Sequence, residues 1–164
     1  MVEWILGRAD DARGPDLLAA FKRRYDTEGV ALTQAFPGAS EVLAVLATRS
    51  SQLTIVSNKR ALPTARILDA LGWTTYFGAV RCSDSKGCAG LDKIARVAAL
   101  RPALGECVLV GDTREDYHAA SRNGIAFIAA DYGYETDPAA FAALAAFKRM
   151  AAPQELAELA DLKR

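Results

Sequence analysis

The chain has 164 residues, of which 51% are hydrophobic, and its 20 basic residues balance 20 acidic ones to a formal net charge of zero. This length predicts one domain that buries a core of its own without disulfides or structural metal. The charge balance argues against nucleic acid as a partner, and the lack of a leader or a long apolar run predicts a cytoplasmic protein that binds no membrane.

The predicted elements alternate between helices and short strands. Helical spacing of apolar residues predicts helices over residues 16–27, 40–48, 62–71, 91–100 and 115–123. Apolar runs predict buried parallel strands over residues 53–57, 107–111 and 125–130, with a weaker candidate over 76–82. The Ala-rich residues 138–164 predict two helical stretches separated at Pro153. The alternation predicts an α/β fold built on a doubly wound parallel sheet.

Polar side chains follow several of the predicted strands. Ligands bind outside the carboxyl ends of the strands in an open parallel sheet. We therefore expect one site that gathers a hydroxyl, an amide, a lysine and two carboxylates, namely Ser57, Asn58, Lys86, Asp112 and Asp116, with Lys59 nearby in solvent. Such a set suits a phosphate with a divalent cation, because hydroxyl groups hold phosphoryl oxygens, lysine neutralises charge and carboxylates ligate Mg²⁺.

The two carboxylates of this set need a compensating partner. If a helix begins just after Asp112, then Asp112 and Asp116 share one of its faces and repel each other by about 0.2–0.5 kcal/mol. A divalent cation, a basic side chain or solvent would each compensate them. Taken alone, an N-cap role for Asp112 and a first-turn position for Asp116 also explain the pair.

Three segments, in this order, resemble the haloacid dehalogenase superfamily of phosphohydrolases, particularly its phosphoglycolate-phosphatase-like branch. The segment FPGASEVLAVLATRSSQLTIVSNK is similar to the Pro-Gly, helix and second motif of that branch. SDSKGCAGLDKI is similar to its third-motif lysine loop, and VLVGDTREDYHAASRNGI to its fourth motif. The resemblance implies a single Rossmannoid domain, with residues 1–36 as a cap remnant returning to the core and residues 37–164 as the core.

The resemblance also implies roles for the site residues. Ser57 and Asn58 would bind the phosphoryl group of a small phosphorylated metabolite, and Asp112 with Asp116 would hold Mg²⁺ as cofactor. Lys86 would be the catalytic lysine that bridges phosphate and nucleophile. Lys93 is the competing candidate, but Lys86 fits the loop position better, although the usual Lys-Pro-x-Pro is replaced by KGCA.

The first motif of the superfamily, Asp-x-Asp-Gly-Thr at the end of an apolar strand, is absent from this sequence. The acids near its start, Glu3, Asp10 and Asp11, do not form the pattern. In the superfamily that strand lies between the strands that here end at Ser57 and Gly111, so the resemblance implies a gap there. Residues 2–6, a strand of another chain or a longer form of the enzyme would fill it. An exposed strand edge at the gap predicts a homodimer.

The sequence leaves three functions open. By descent the chain is a Mg²⁺-dependent hydrolase of small phosphate monoesters, but without the attacking aspartate we expect it to be inactive as it stands. The alternative is a non-catalytic module that binds phosphate or metal, or that has a regulatory role. A receiver-like domain ranks third, because such domains place their acid pair at the first strand.

Overall fold

The computed structural model describes residues 14–49 and 52–159, in which helices alternate with parallel strands. The helices are α1 (Gly14–Arg24), α2 (Ala39–Thr48), α3 (Ala61–Ala70), α4 (Lys93–Leu104), α5 (Arg114–Arg122), α6 (Pro138–Ala142) and α7 (Glu155–Leu159). The strands are β1 (Leu53–Val56), β2 (Phe77–Arg81), β3 (Val108–Gly111), β4 (Ala126–Ala130) and β5 (Lys148–Met150). A π-helical turn, Tyr25–Gly29, continues α1, and a 3₁₀ turn, Thr74–Tyr76, precedes β2. The predicted α/β class is confirmed.

Local capping decides where the two helices nearest the expected site begin. Asp92 caps α4, because its side chain accepts a hydrogen bond from the backbone N–H of Ala95 at 2.8 Å. Thr113 caps α5 in a capping box with Asp116. The first turn of α4 therefore carries Lys93, and the first turn of α5 carries Asp116. The cap is Thr113 and not Asp112, the residue for which that role was considered.

The described strands form two parallel sheets. β1 pairs with β2, whereas β4 lies between β3 and β5, and every pairing is parallel. The sequence predicts that residues 53–57 and 107–111 belong to one sheet. Among the described strands, β1 and β3 each have a partner on one edge only.

The two sheets nevertheless share one hydrophobic core. α4 packs on β1 and on α5, and α5 packs on β3 and β4. Val56 of β1 and Leu109 of β3 both pack against the buried cluster that contains Val97 of α4. Val108 and Val110 point to the opposite face, because side chains alternate along a strand, and they are 44% and 38% exposed. No described strand therefore fills the gap between β1 and β3, and the paired helices α4 and α5 connect the two sheets.

The C-terminal part differs from the predicted pair of helices. β5 lies inside the segment predicted as helical, and its residues Lys148–Met150 pair with residues 128–130 of β4. The backbone N–H of Phe147 extends the contact by donating to the carbonyl of Phe127 at 2.7 Å. Apolar spacing in an Ala-rich segment suggested a helix there, but pairing with a buried strand overrides this local preference.

Two further predictions concern the residues that fill the gap and the membrane. Residues 2–6, considered as a filler of the gap, lie outside the described residues. Across residues 14–49 and 52–159, no helix combines the length and the apolar character needed to cross a bilayer.

Candidate functional site

The loop after β1 presents the hydroxyl of Ser57 as a hydrogen-bond donor. The backbone N–H of Ser57 continues the parallel ladder by donating to the carbonyl of Arg81 at 2.9 Å. Its Oγ accepts a hydrogen bond from the backbone N–H of Lys59 at 3.1 Å. A serine hydroxyl has one proton to donate and two lone pairs. Among the described residues no group accepts the proton of the Ser57 hydroxyl, so it can be donated to a ligand oxygen.

Asn58 links the loop after β1 to the first turn of α5. Its amide Nδ2 donates to Oε2 of Glu115 at 2.6 Å. Its Oδ1 accepts from Nη2 of Arg96, which reaches it from α4. The carboxyl end of β1 and the segment that follows β3 therefore lie together, as expected for strands that run in the same direction.

The carboxylate of Asp116 is buried, and both of its oxygens are engaged. Oδ1 accepts from Nζ of Lys93 at 2.6 Å. Oδ2 accepts from Oγ1 of Thr113 at 2.7 Å and from the backbone N–H of Thr113 at 3.2 Å. A basic side chain, one of the compensating partners considered for the acid pair, thus neutralises Asp116.

Asp112 has a different environment from Asp116. Its Oδ2 accepts a hydrogen bond from the backbone N–H of Tyr134 at 2.8 Å, and the residue is half-buried. Within the described part of the chain, Oδ1 of Asp112 has no hydrogen-bond partner. This oxygen is therefore available to a ligand or a cation.

Two glycines allow the backbone to approach the two carboxylates closely. A Cβ atom built on Gly111 would lie 2.3 Å from Cβ of Asp116, and one built on Gly133 would lie 2.0 Å from Cβ of Asp112. Neither distance is compatible with a side chain larger than hydrogen. The glycine before Asp112 and the glycine in the loop after β4 are thus required by the packing of the acid pair.

The structure brings Lys93, and not Lys86, to the acid pair. Lys93 is buried and contacts Asp116, whereas Lys86 is exposed on the loop after β2, without a hydrogen bond or ion pair to a described residue. The preference for Lys86 rested on its loop position. The cap at Asp92 instead places Lys93 in the first turn of α4, beside the first turn of α5. Lys93 therefore replaces Lys86 as our candidate lysine.

The loop after β4 folds over Asp112 and is held by Glu135. Oε2 of Glu135 accepts the backbone N–H of Arg114 at 2.9 Å, and Oε1 accepts those of Thr136 and Asp137 at 2.8 and 3.1 Å. These donors, with Arg114 the strongest, lower the pKa of the Glu135 carboxyl below its usual range. Glu135 thus anchors the loop to the amino end of α5.

Tyr132 lies in the same loop, close enough to Asp112 for the charge of that residue to affect its pKa. Its ring packs edge-on against Phe36 with 5.0 Å between ring centroids. Burial raises the pKa of the Tyr132 hydroxyl, and the negative charge of Asp112 raises it further. The phenol therefore stays protonated beside the carboxylate.

The turn that follows α1 covers the loop after β1. Nζ of Lys59 donates to the hydroxyl of Tyr25 at 2.9 Å, and the guanidinium of Arg60 pairs with the buried carboxylate of Asp26. Nη1 of Arg66 also donates to the backbone carbonyl of Asp26 at 2.5 Å. This part of the chain is therefore attached to the rim of the site by specific polar contacts.

The donor set fits Mg²⁺ through Asp112. No group of three or more His, Cys, Asp or Glu side chains in residues 14–49 and 52–159 is arranged to hold a metal ion. Mg²⁺ in phosphate sites, however, is commonly held by one or two carboxylates together with waters and phosphate oxygens. Among the described residues, Oδ1 of Asp112 has no hydrogen-bond partner, whereas both oxygens of Asp116 already accept from Lys93 or Thr113. The predicted two-carboxylate site stays a prediction.

Sequence reasoning did not single out Thr113, Glu115, Arg96 or Glu135. Thr113 was within reach, because Thr-x-x-Asp before a helix is close to a capping-box pattern. Arg96 shows a weaker signal: it follows Lys93 by three residues and lies on the same helix face. Glu135 shows none, because most of its hydrogen bonds come from backbone groups of its own loop and of α5, which no residue pattern marks.

Known proteins share both the sequence pattern and the fold. A family model described as haloacid dehalogenase-like hydrolase matches residues 2–124. The phosphoglycolate phosphatase of Rhodospirillum rubrum is 33% identical over 150 residues, which cover 87% of this chain and 62% of that protein. The tyrosine-protein kinase PtkA of Mycobacterium tuberculosis is 32% identical over 123 residues, which cover 73% of this chain and 42% of that protein. The chain thus spans less than two thirds of the length of these relatives.

A solved structure shows the same fold. The crystal structure of a predicted phosphoglycolate phosphatase from Haemophilus somnus superimposes with a TM-score of 0.81 at 20% identity, covering 96% of this chain and 73% of that one. At this level of identity the likeness concerns the arrangement of helices and strands.

Proposed function

The chain belongs to the haloacid dehalogenase-like hydrolase family, and from this premise we propose that its site binds the phosphate group of a small phosphate monoester together with Mg²⁺. One observation carries the proposal: the first turn of α5 receives both the contact from Asn58 in the loop after β1 and the contact from Lys93 at the start of α4. A hydroxyl donor, an ammonium and a carboxylate with a free oxygen share this region.

Ser57 and Lys93 supply the donors for the phosphoryl oxygens. The hydroxyl of Ser57 accepts a hydrogen bond from the backbone N–H of Lys59 and donates to no described group, so its proton can be donated to a phosphoryl oxygen. The ammonium of Lys93 has three N–H donors and gives one to Asp116. Its other donors are available to a phosphoryl oxygen, and its positive charge favours an anion.

Asp112 is the residue that would hold Mg²⁺. When bound, Mg²⁺ neutralises charge on phosphate oxygens and supports attack on phosphorus. The backbone N–H of Tyr134 donates to Oδ2 of Asp112, and Oδ1 has no hydrogen-bond partner among the described residues, so this oxygen is the one we assign to the cation. Asp116 acts differently in this proposal: it holds Lys93 in place.

Bond cleavage needs a nucleophile that the described acid pair does not provide. Asp112 serves the cation, and both oxygens of Asp116 are occupied by Lys93 and Thr113. The edges of β1 and β3 that pair with no described strand suggest where the attacking carboxylate belongs. A strand placed between them, parallel to both, would end beside Ser57 and Asp112. We therefore expect that the chain binds phosphate, and that turnover requires a carboxylate carried at the end of such a strand.

The decisive experiment compares binding and turnover in the same samples. Wild type and Asp112→Ala are titrated with Mg²⁺ and inorganic phosphate, and phosphate release is measured from p-nitrophenyl phosphate and from phosphoglycolate. The name of the Rhodospirillum relative makes phosphoglycolate the first natural substrate to test. We expect weak Mg²⁺ binding in wild type, its loss in the variant, and equal, background turnover in both.

Turnover well above that of Asp112→Ala would contradict this expectation. If such turnover disappeared in Asp10→Asn, Asp10 would be the nucleophile and the chain would be an active phosphatase. If wild type bound neither Mg²⁺ nor phosphate, the proposed site itself would be wrong.

The second candidate function is a non-catalytic module that binds phosphate or metal. The observation that favours it is that both oxygens of Asp116 already accept hydrogen bonds from Lys93 and Thr113, so Oδ1 of Asp112 is the one oxygen of the acid pair without a partner among the described residues. Addition of a synthetic peptide with an apolar strand followed by Asp-x-Asp separates the two candidates. Turnover restored by the peptide, and not by its Asn-x-Asn counterpart, supports a phosphatase site; persistent inactivity with retained binding supports the module.

A further inference from the structure

Arg96 is a buried cation without a carboxylate partner in the described residues. It is 3% exposed, in α4, one turn beyond Lys93. Its Nη1 donates to the backbone carbonyl of Leu91 at 3.1 Å, and its Nη2 donates to Oδ1 of Asn58. Its Nε is buried and has no hydrogen-bond partner there. Burying a guanidinium against neutral oxygens is costly, so its position needs a reason.

We propose that Arg96 is a positioning residue that sets the orientation of the Asn58 amide and thereby fixes the Ser57–Lys59 loop against α5. This inference rests on the proposed phosphate-binding function of that loop. Arg96 does not contact the phosphate in this proposal. It acts through Asn58.

The chemistry of the three side chains permits one arrangement. Arginine only donates and an ionised glutamate only accepts, so the residue between Arg96 and Glu115 must accept on one side and donate on the other. An asparagine amide does this, with Oδ1 toward Arg96 and Nδ2 toward Glu115. Aspartate at position 58 would suit Arg96, but it would place two carboxylates against each other.

The same guanidinium also braces the start of α4. The carbonyl of Leu91 lies just before the cap residue Asp92, so the contact from Nη1 fixes the turn that leads to Lys93. A lysine in place of Arg96 would lack the rigid fork that reaches Leu91 and Asn58 together. Arg96 therefore connects the Ser57–Lys59 loop to the first turn of α4, which carries the candidate lysine Lys93.

The test reverses the direction of one hydrogen bond. In the double variant Asn58→Asp with Glu115→Gln, the new carboxylate accepts from Arg96 as before and from the glutamine amide. Both contacts are kept, and only the hydrogen bond between residues 58 and 115 changes direction. Affinity for inorganic phosphate with Mg²⁺ is measured by NMR titration for wild type, Arg96→Met, Asn58→Asp and the double variant. Arg122→Met, at an exposed position of α5, is the matched control.

We expect Arg96→Met and Asn58→Asp each to weaken phosphate binding about tenfold, and the double variant to regain most of that loss. The control should bind like wild type. The Asn58 side-chain amide signals should also shift in Arg96→Met, because the acceptor contact is removed. If Arg96→Met does not fold, the comparison of Asn58→Asp with the double variant carries the test.

Wild-type phosphate affinity in Arg96→Met, or no recovery in the double variant, would overturn the positioning role. If wild type itself does not bind phosphate, the proposed function fails, while the positioning role is still decided by the amide signals. Unchanged Asn58 signals in Arg96→Met would then rule it out, and shifted signals would support it.

Discussion

Nζ of Lys93 donates to Oδ1 of Asp116 at 2.6 Å, and the two side chains are only 11% and 10% exposed. The contact joins the first turns of α4 and α5, which lie next to each other although 23 residues separate the partners in sequence. Removing one member of a buried ion pair leaves the other charge without compensation, and this costs more than the intact pair contributes.

We therefore expect Lys93→Met to lower the free energy of unfolding by about 3–5 kcal/mol. Lys86→Met is the matched control, because Lys86 is exposed and its replacement should change stability by no more than about 0.5 kcal/mol. Urea unfolding of both variants measures the difference. Equal losses would show that the buried pair does not stabilise the fold as the geometry indicates.

The close approach of Gly111 and Gly133 to the acid pair gives a second prediction. Gly111→Ala and Gly133→Ala should each destabilise the protein by about 1–3 kcal/mol, because the new methyl group overlaps Asp116 or Asp112. Gly78→Ala serves as control, since a Cβ atom at Gly78 would lie 3.6 Å from its nearest neighbour, an ordinary contact distance. The same unfolding measurement applies. Stability like that of Gly78→Ala would mean that the carboxylates do not lie against these glycines.

Tyr132 gives a prediction at alkaline pH. Burial and then the charge of Asp112 raise the pKa of its hydroxyl above the ordinary value. The folded state thus disfavours ionisation, so its contribution to stability is complete below the unfolded pKa of about 10 and is lost as pH rises through the folded pKa. Asp112→Asn should lower the pKa of Tyr132 while leaving it raised by burial.

Phenolate absorbance measures this titration. The spectrum of Tyr132→Phe, subtracted from that of wild type, isolates one of the five tyrosines. A Tyr132 titration that is identical in wild type and Asp112→Asn would show that the two groups do not interact.

Glu135 gives a prediction at acid pH, where stability should fall as the pH is lowered. Its pKa is lowered because backbone N–H groups, first that of Arg114, donate to the carboxylate. Its contribution to stability is therefore present above the unfolded pKa of about 4.3 and is lost as pH falls through the folded pKa. Glu135→Gln should have a lower melting temperature than wild type at neutral pH, and this difference in melting temperature should become smaller as the pH falls. A difference in melting temperature that does not change with pH would show that the charge of the carboxylate does not cause it.

Much of the fold was accessible from local sequence patterns. Residues 53–57, 107–111 and 125–130 are close to the observed β1, β3 and β4, and the Thr113 to Asp116 cap explains why α5 begins where it does. β5 was missed because a three-residue strand is defined by its neighbour β4 and not by its own spacing of apolar residues.

By itself, the sequence determined the α/β alternation and the collection of Ser57, Asn58, Asp112 and Asp116 near the ends of parallel strands, because periodicity, caps and strand direction are local properties. Only the tertiary structure decided which lysine meets Asp116. Lys86 and Lys93 are seven residues apart, and both are compatible with the local pattern, so the choice depends on how α4 packs beside α5. The packing of these helices across the gap between β1 and β3 buries Lys93 against Asp116 and leaves Lys86 in solvent.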